Sequence, residues 1–202
     1  MSLIQRALVG LLIALLAAIG AVLATGRPSG RASAPVFAGP TLPPNLRAAN
    51  FALTDQAGHR VTLRRYRGKV VVITFIHSLC HDTCPFMVEQ IKGALDDLPG
   101  SGRDVPVLGI SVDPAEDTAR NRAAFLDKHE MTGRMAFLNG PLPVMRQLWR
   151  RYAMQPVGGA IDHSTFVLLI DRRGFERIGY PADELTPEHL AHDIRVLAGE
   201  SA

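Results

Sequence analysis

The chain has 202 residues, 47% of them hydrophobic, and its 22 Lys and Arg against 19 Asp and Glu give a formal charge of +3. That is enough apolar material for one full core, and no internal period of about 20 to 50 residues suggests a solenoid. The basic residues cluster no further than Arg64-Arg65-Tyr66-Arg67 and the stretch from Arg146 to Arg151, which read as solvated faces rather than a one-sided stripe for nucleic acid, so no nucleic-acid partner is expected.

Residues 7–24 carry no charge and follow Arg6. Eighteen helical residues reach about 27 Å, close to the thickness of a bilayer core. Residues 1–24 are therefore expected to form a membrane anchor, or an export signal that stays uncleaved, and the run is longer than the apolar region of most cleaved signals. No cysteine follows it, so a lipid-modified N-terminus is not expected. Residues 25–50, rich in Pro, Gly, Ala and Ser and without apolar period, read as a linker.

A folded domain is expected over residues 51–199. Residues 51–54 and 61–63 alternate around Asp55-Gln56-Ala57-Gly58, a hairpin with turn formers where a turn needs them. Residues 70–76 form a continuous, mostly β-branched run, the mark of a strand buried on both faces. Residues 86–98 place Phe86, Val88, Ile91, Leu95 and Leu98 at helical spacing before Pro99-Gly100. Residues 105–112 read as a second buried strand. The acids between Asp113 and Thr118 are expected to open a helix running to about His129, at its positive end. A short strand over 135–138, a helix over 144–152, a strand over 165–171, its hairpin partner over 175–179 and a helix over 187–197 capped by Thr186 complete the chain. Strand followed by a Cys-bearing helix in such an order implies an α/β, thioredoxin-like fold: a central mixed sheet with flanking helices and an N-terminal β-hairpin, behind a transmembrane helix.

The chemistry lies between the first long strand and the helix after it. Cys80 and Cys84 are the only two cysteines, in His77-Ser78-Leu79-Cys80-His81-Asp82-Thr83-Cys84-Pro85. With Cys84 in the first turn of a helix and Cys80 just before it, the sulfurs can meet on one face, to close a disulfide or grip a metal. A helix N-terminus is expected to lower the thiol pKa, which serves both outcomes.

Several motifs in order carry a resemblance: Phe51-x-Leu-Thr-Asp-Gln-x-Gly, Arg67-Gly-Lys-Val-Val, Cys80-x-Asp82-x-Cys84-Pro85, Ser111-Val-Asp-Pro with Asp117-Thr118, and Asp162-His163-Ser164-Thr165. Over roughly residues 51–197 the chain is similar to the SCO (SenC) family of membrane-tethered, thioredoxin-fold copper proteins that assist maturation of the CuA centre of cytochrome c oxidase. The resemblance implies copper, as Cu(I) or Cu(II), held by Cys80, Cys84 and His163, with the cysteine pair also able to close as a disulfide. Two thiolates and one imidazole are a soft donor set that independently suits copper. The implied partner is the CuA-bearing subunit or another cuproprotein, and the implied location is a membrane with the domain in the periplasm or an equivalent extracytoplasmic space.

Asp162 would orient the ring of His163. Asp82 would cap the following helix. This chain departs from the family at His81, where Pro is common, and at His77, where an aromatic is common. Both add imidazole as auxiliary candidates, and both rings are expected to face solvent. Met87 reads as core. Two enzymatic functions compete with copper carriage: a thiol:disulfide oxidoreductase that reduces the cysteines of a copper-accepting protein, and a peroxiredoxin-like peroxidase. Three residues between the cysteines, rather than two, and the distant His163 favour the metal. A metallochaperone with no firm catalytic residue is the expected function.

Overall fold

The computed structural model describes residues 36–154 and 166–200. The hairpin pairs β1 (Ala52–Thr54) with β2 (Arg60–Thr62), and Asp55 closes the turn by accepting from the backbone of Ala57 and His59, with Gly58 at φ +86°. The main sheet consists of β3 (Val71–Ile76), β4 (Val107–Ser111), β5 (Met135–Leu138), β6 (Phe166–Ile170) and β7 (Glu176–Pro181), in the order β5-β4-β3-β6-β7. β3, β4 and β5 are parallel, while β6 and β7 run against them. Among the described residues, four α-helices connect and cover it: α1 (Thr83–Asp96), α2 (Ala119–Lys128), α3 (Leu142–Arg151) and α4 (Pro187–Gly199).

Every residue of β3 is buried, as a strand paired on both edges and covered on both faces requires. Val72 and Ile76 pack with Met87, Ile91 of α1 and Leu190, Ile194 of α4, whereas Ile73 and Phe75 pack with Met145, Trp149 of α3 and with Phe51 and Leu53 of the hairpin region. Met87 is core, as expected, with Thr74 Oγ1 3.9 Å from its sulfur. Arg122, on α2, is buried and has no carboxylate ion pair among the described residues; its guanidinium donates to the carbonyls of Asp117, Thr54 and Phe137, tying hairpin, helix and β5 together.

Two expectations need correction, and a third falls outside the described residues. The acids before α2 do not lie in its first turn. Asp113 accepts from the backbone of Ala115 and Glu116 in a preceding turn, Thr118 caps the helix by accepting from Asn121, and the helix starts at Ala119. Residues 36–50 are not free linker. Thr41 and Arg47 bridge Ile178 and Phe175, and the backbone amides of Ala38 and Gly39 donate to Asp193 at 2.8 and 3.0 Å. This arm lies along β7, and Asp193, fully buried, also accepts from the Tyr180 hydroxyl. The packed unit therefore begins at Val36, not Phe51. Finally, no helix among the described residues is long and apolar enough to cross a membrane, and the run at residues 7–24 lies outside them.

Glu176, at the start of β7, is buried with no ion pair among the described residues, and burial pushes its carboxyl up to about 7. Because the folded pKa lies above the unfolded one, the native state binds the extra proton and stability falls as pH rises from about 4.5 to 7. Glu176→Gln removes the penalty. Its stability advantage over the parent should grow across that window to roughly 1 to 2 kcal/mol above pH 7, allowing for solvent near the carboxylate. Urea unfolding at pH 4.5, 6 and 8 reads this; a constant difference would show that Glu176 titrates normally.

Candidate metal centre

β3 ends at Ile76 and the chain turns through His77, Ser78 and Leu79 into Cys80. The Cys80 amide donates to the His77 carbonyl at 3.1 Å, a tight turn that returns the chain toward α1. Cys84 is the second residue of α1, fully buried under the C-terminal end of β3, while Cys80 is partly exposed. Both thiols are free, and the Cys84 amide points at the Cys80 sulfur at 3.5 Å. The spacing of four, with the second cysteine in the first helical turn, thus brings the pair together as the sequence implies.

The carboxylate of Asp117 holds this turn in place. It is fully buried, accepting from the Ser78 amide at 2.7 Å and from Ser111 Oγ at 2.5 Å. Ser111 is the last residue of β4, and its hydroxyl in turn accepts from the Asp113 amide at 3.2 Å. The Asp117 carbonyl takes bonds from Arg122 and from Asn139 Nδ2 at 2.8 Å. One residue therefore joins the cysteine turn to the ends of β4, β5 and α2. Its motif, Asp117-Thr118, was visible in the sequence, but its role was not.

The auxiliary candidates separate. His81 is exposed, as expected. His77 is not: its side chain is only 16% exposed, and its Nε2 is buried without a hydrogen-bond partner, 4.0 Å from Asp113 Oδ2. It follows directly on a fully buried strand, with the Asp113 carboxylate beside its ring. Asp82 occupies the position before α1 but makes no side-chain cap, so the expected capping bond is absent. The thiol expectation is also corrected. Burial, first, pushes the Cys84 thiol well above its ordinary range; Cys80 beside it and the charge of Asp117 add to this, opposed by a hydrogen bond from the His77 backbone. The helix end does not offset that desolvation. His163 and Asp162 lie outside the described residues. Among the described residues, no group of three or more His, Cys, Asp or Glu could hold a metal ion.

A mixed α/β sheet with a dithiol at the end of its central strand, the second cysteine entering a helix, defines a thioredoxin-like protein. Within that class the chain belongs to the SCO1/SenC family, whose model matches residues 40–199. It is 31% identical to SenC of Rhodobacter capsulatus, over 71% of this chain and 67% of that one. It is 27% identical to Protein sco1 of Schizosaccharomyces pombe over 61% of this chain, and it spans about half of that relative, 51%. Among solved structures, ScoI of Bradyrhizobium japonicum with copper bound matches with a TM-score of 0.64 and 26% identity, covering 75% of this chain and 99% of that one.

Two outcomes test the site as built. With the reduced protein at pH 8, a thiol reagent should modify Cys80 at least about tenfold faster than Cys84, and Cys80→Ser should leave only the slow thiol; equal rates would contradict the burial of Cys84. Asp117→Ala should cost about 2 to 4 kcal/mol and Asp117→Asn about 1, because the alanine strands the Ser78 amide and Ser111 hydroxyl. A loss below about 0.5 kcal/mol for both, by urea unfolding, would show that the carboxylate does not hold the turn.

Proposed function

We propose that this protein is a membrane-tethered copper chaperone that delivers copper to, or prepares, the CuA site of cytochrome c oxidase or another cuproprotein, with copper as cargo held by Cys80, Cys84 and His163. The observation that carries the reading is the adjacent free thiols at one end of the sheet. The fit to copper is chemical: two sulfurs on one side suit a soft ion, and binding displaces the protons that burial otherwise retains on Cys84. Chain reach supports the third ligand. Phe166 opens β6 beside the C-terminal half of β3, with Val167 paired to Thr74. His163 is three residues earlier, and three residues span at most about 10 Å. The family membership, and the copper bound to the similar ScoI, agree with it.

Carriage works by ligand exchange. The partly exposed Cys80 is the sulfur a recipient thiol or imidazole can displace first, while buried Cys84 is released last. Oxidation of the pair by an external disulfide, which takes up the two electrons and two protons and leaves as two thiols, removes both donors. Leu79 and Phe86, large apolar side chains left nearly half exposed, flank the pair and offer a recipient protein a surface. Residues 1–24 supply the tether, which places the domain in the periplasm or an equivalent space.

The burial of Cys84 and its raised thiol disfavour rapid dithiol turnover, the main competing activity. Copper titration of the reduced full chain alongside an insulin-reduction assay separates the two. One equivalent of copper should bind, Cys80→Ser, Cys84→Ser and His163→Ala should each weaken it at least about tenfold, and insulin turnover should be negligible. Unchanged affinity in all three variants sinks the copper site, and turnover without copper binding selects the reductase.

A further inference from the structure

The end of the sheet away from the cysteines has its own chemistry. Arg64 and Arg67 lie in and just after the 3-10 turn Leu63–Tyr66 that leads into β3, Arg151 is the last residue of α3, and Arg47 comes from the arm along β7. All four line one concavity of about 750 Å³, together with Asn50 and Glu176. A smaller pocket beside it shares Arg64 and Arg67. The two basic clusters of the sequence, separate in the chain, thus contribute to one surface.

These charges are not paired among the described residues. None of the four arginines makes an ion pair with a carboxylate among the described residues. Of the acids at this end, Asp171 is engaged with Arg177 at 3.3 Å and with the turn amides of Arg173 and Phe175, Glu200 is engaged with Arg177 at 2.6 Å, and Glu176, in the concavity itself, is buried with its carboxyl pushed up to about 7. Two of the guanidiniums are also held. Arg47 lies 4.5 Å over the ring of Phe175, an arrangement that fixes the plane of the fork. Arg67 occupies the space above Gly174, where a Cβ would collide with its guanidinium. That glycine, at φ +85°, is thus required twice over.

Guanidinium forks gathered around one concavity match the several oxygens of a phosphate group better than any neutral ligand, since each fork can donate two parallel hydrogen bonds to it. We propose that Arg47, Arg64, Arg67 and Arg151 form a binding site for a multiply charged phosphate group, in a concavity whose lining includes neither Cys80 nor Cys84. The group can belong to a soluble phosphate compound or to an anionic lipid headgroup. The site is independent of copper carriage.

The test uses the metal-free, reduced full chain in an uncharged detergent, titrated calorimetrically with inorganic pyrophosphate. A second arm uses a soluble short-chain phosphatidylglycerol, with the matching phosphatidylcholine as control. Saturable binding of pyrophosphate or of phosphatidylglycerol, weakened tenfold or more by Arg64→Glu with Arg67→Glu and by Arg151→Glu, supports the site and identifies the source. Arg120→Glu, on exposed α2 surface, should leave it unchanged. The milder pair Arg64→Gln with Arg67→Gln repeats the test if charge reversal impairs folding, as judged by thermal unfolding. No saturable binding in either arm, or binding that survives both double variants, overturns the proposal. Copper stoichiometry of the same variants should equal that of the parent, so failure here leaves the copper site standing.

Discussion

The complete burial of β3 governs the rest of the molecule. Its six residues are paired on both edges and covered on both faces, so a shift of one residue in register would exchange Val72 and Ile76 with Ile73 and Phe75 across the sheet. With the strand so constrained, the point where it ends is constrained too. The cysteine turn starts there and inherits that position. What a single strand cannot specify is the path of the turn itself, and this falls to Asp117, whose two oxygens link the Ser78 amide to the end of β4.

Burial also sets the chemistry of the pair. Cys84 is placed where packing is good and ionisation is poor, and the resulting preference for the thiol is opposite to what a helix terminus alone would produce. Such a sulfur is a weak nucleophile in the free protein and a strong ligand once a metal takes the place of its proton. Cys80, partly exposed and four residues earlier, is the accessible half. An asymmetric dithiol of this kind suits stepwise exchange of a ligand better than rapid cycling of electrons.

The sequence made the local features legible. The β-branched run, the helical spacing after Cys84, the Thr186 cap and the hairpin turn all depend on neighbours a few residues away, and the structure has them, with Thr186 accepting from the His189 amide. The misreadings share a cause: contacts that cross long stretches of chain. Residues 36–50 look like linker because their partner, Asp193, is about 155 residues on. His77 has the distant Asp113 beside its ring, and Asp117 reaches back 39 residues to Ser78. Polar residues that act across such separations leave no period in the sequence. Of the site, the spacing of Cys80 and Cys84 was readable, whereas the depth that separates their reactivities was not.

The arm gives the domain a direction. It runs antiparallel to β7, from Gly39 near Tyr180 to Arg47 opposite Phe175. β7 in turn runs antiparallel to β6, which opposes β3. Tyr180 therefore lies toward the end of the sheet where β3 gives way to the cysteine turn, and Phe175 lies toward the arginine end. The hydrogen bonds of Ala38 and Gly39 to buried Asp193, together with the bridges at Thr41 and Arg47, make the attachment stiff rather than loose.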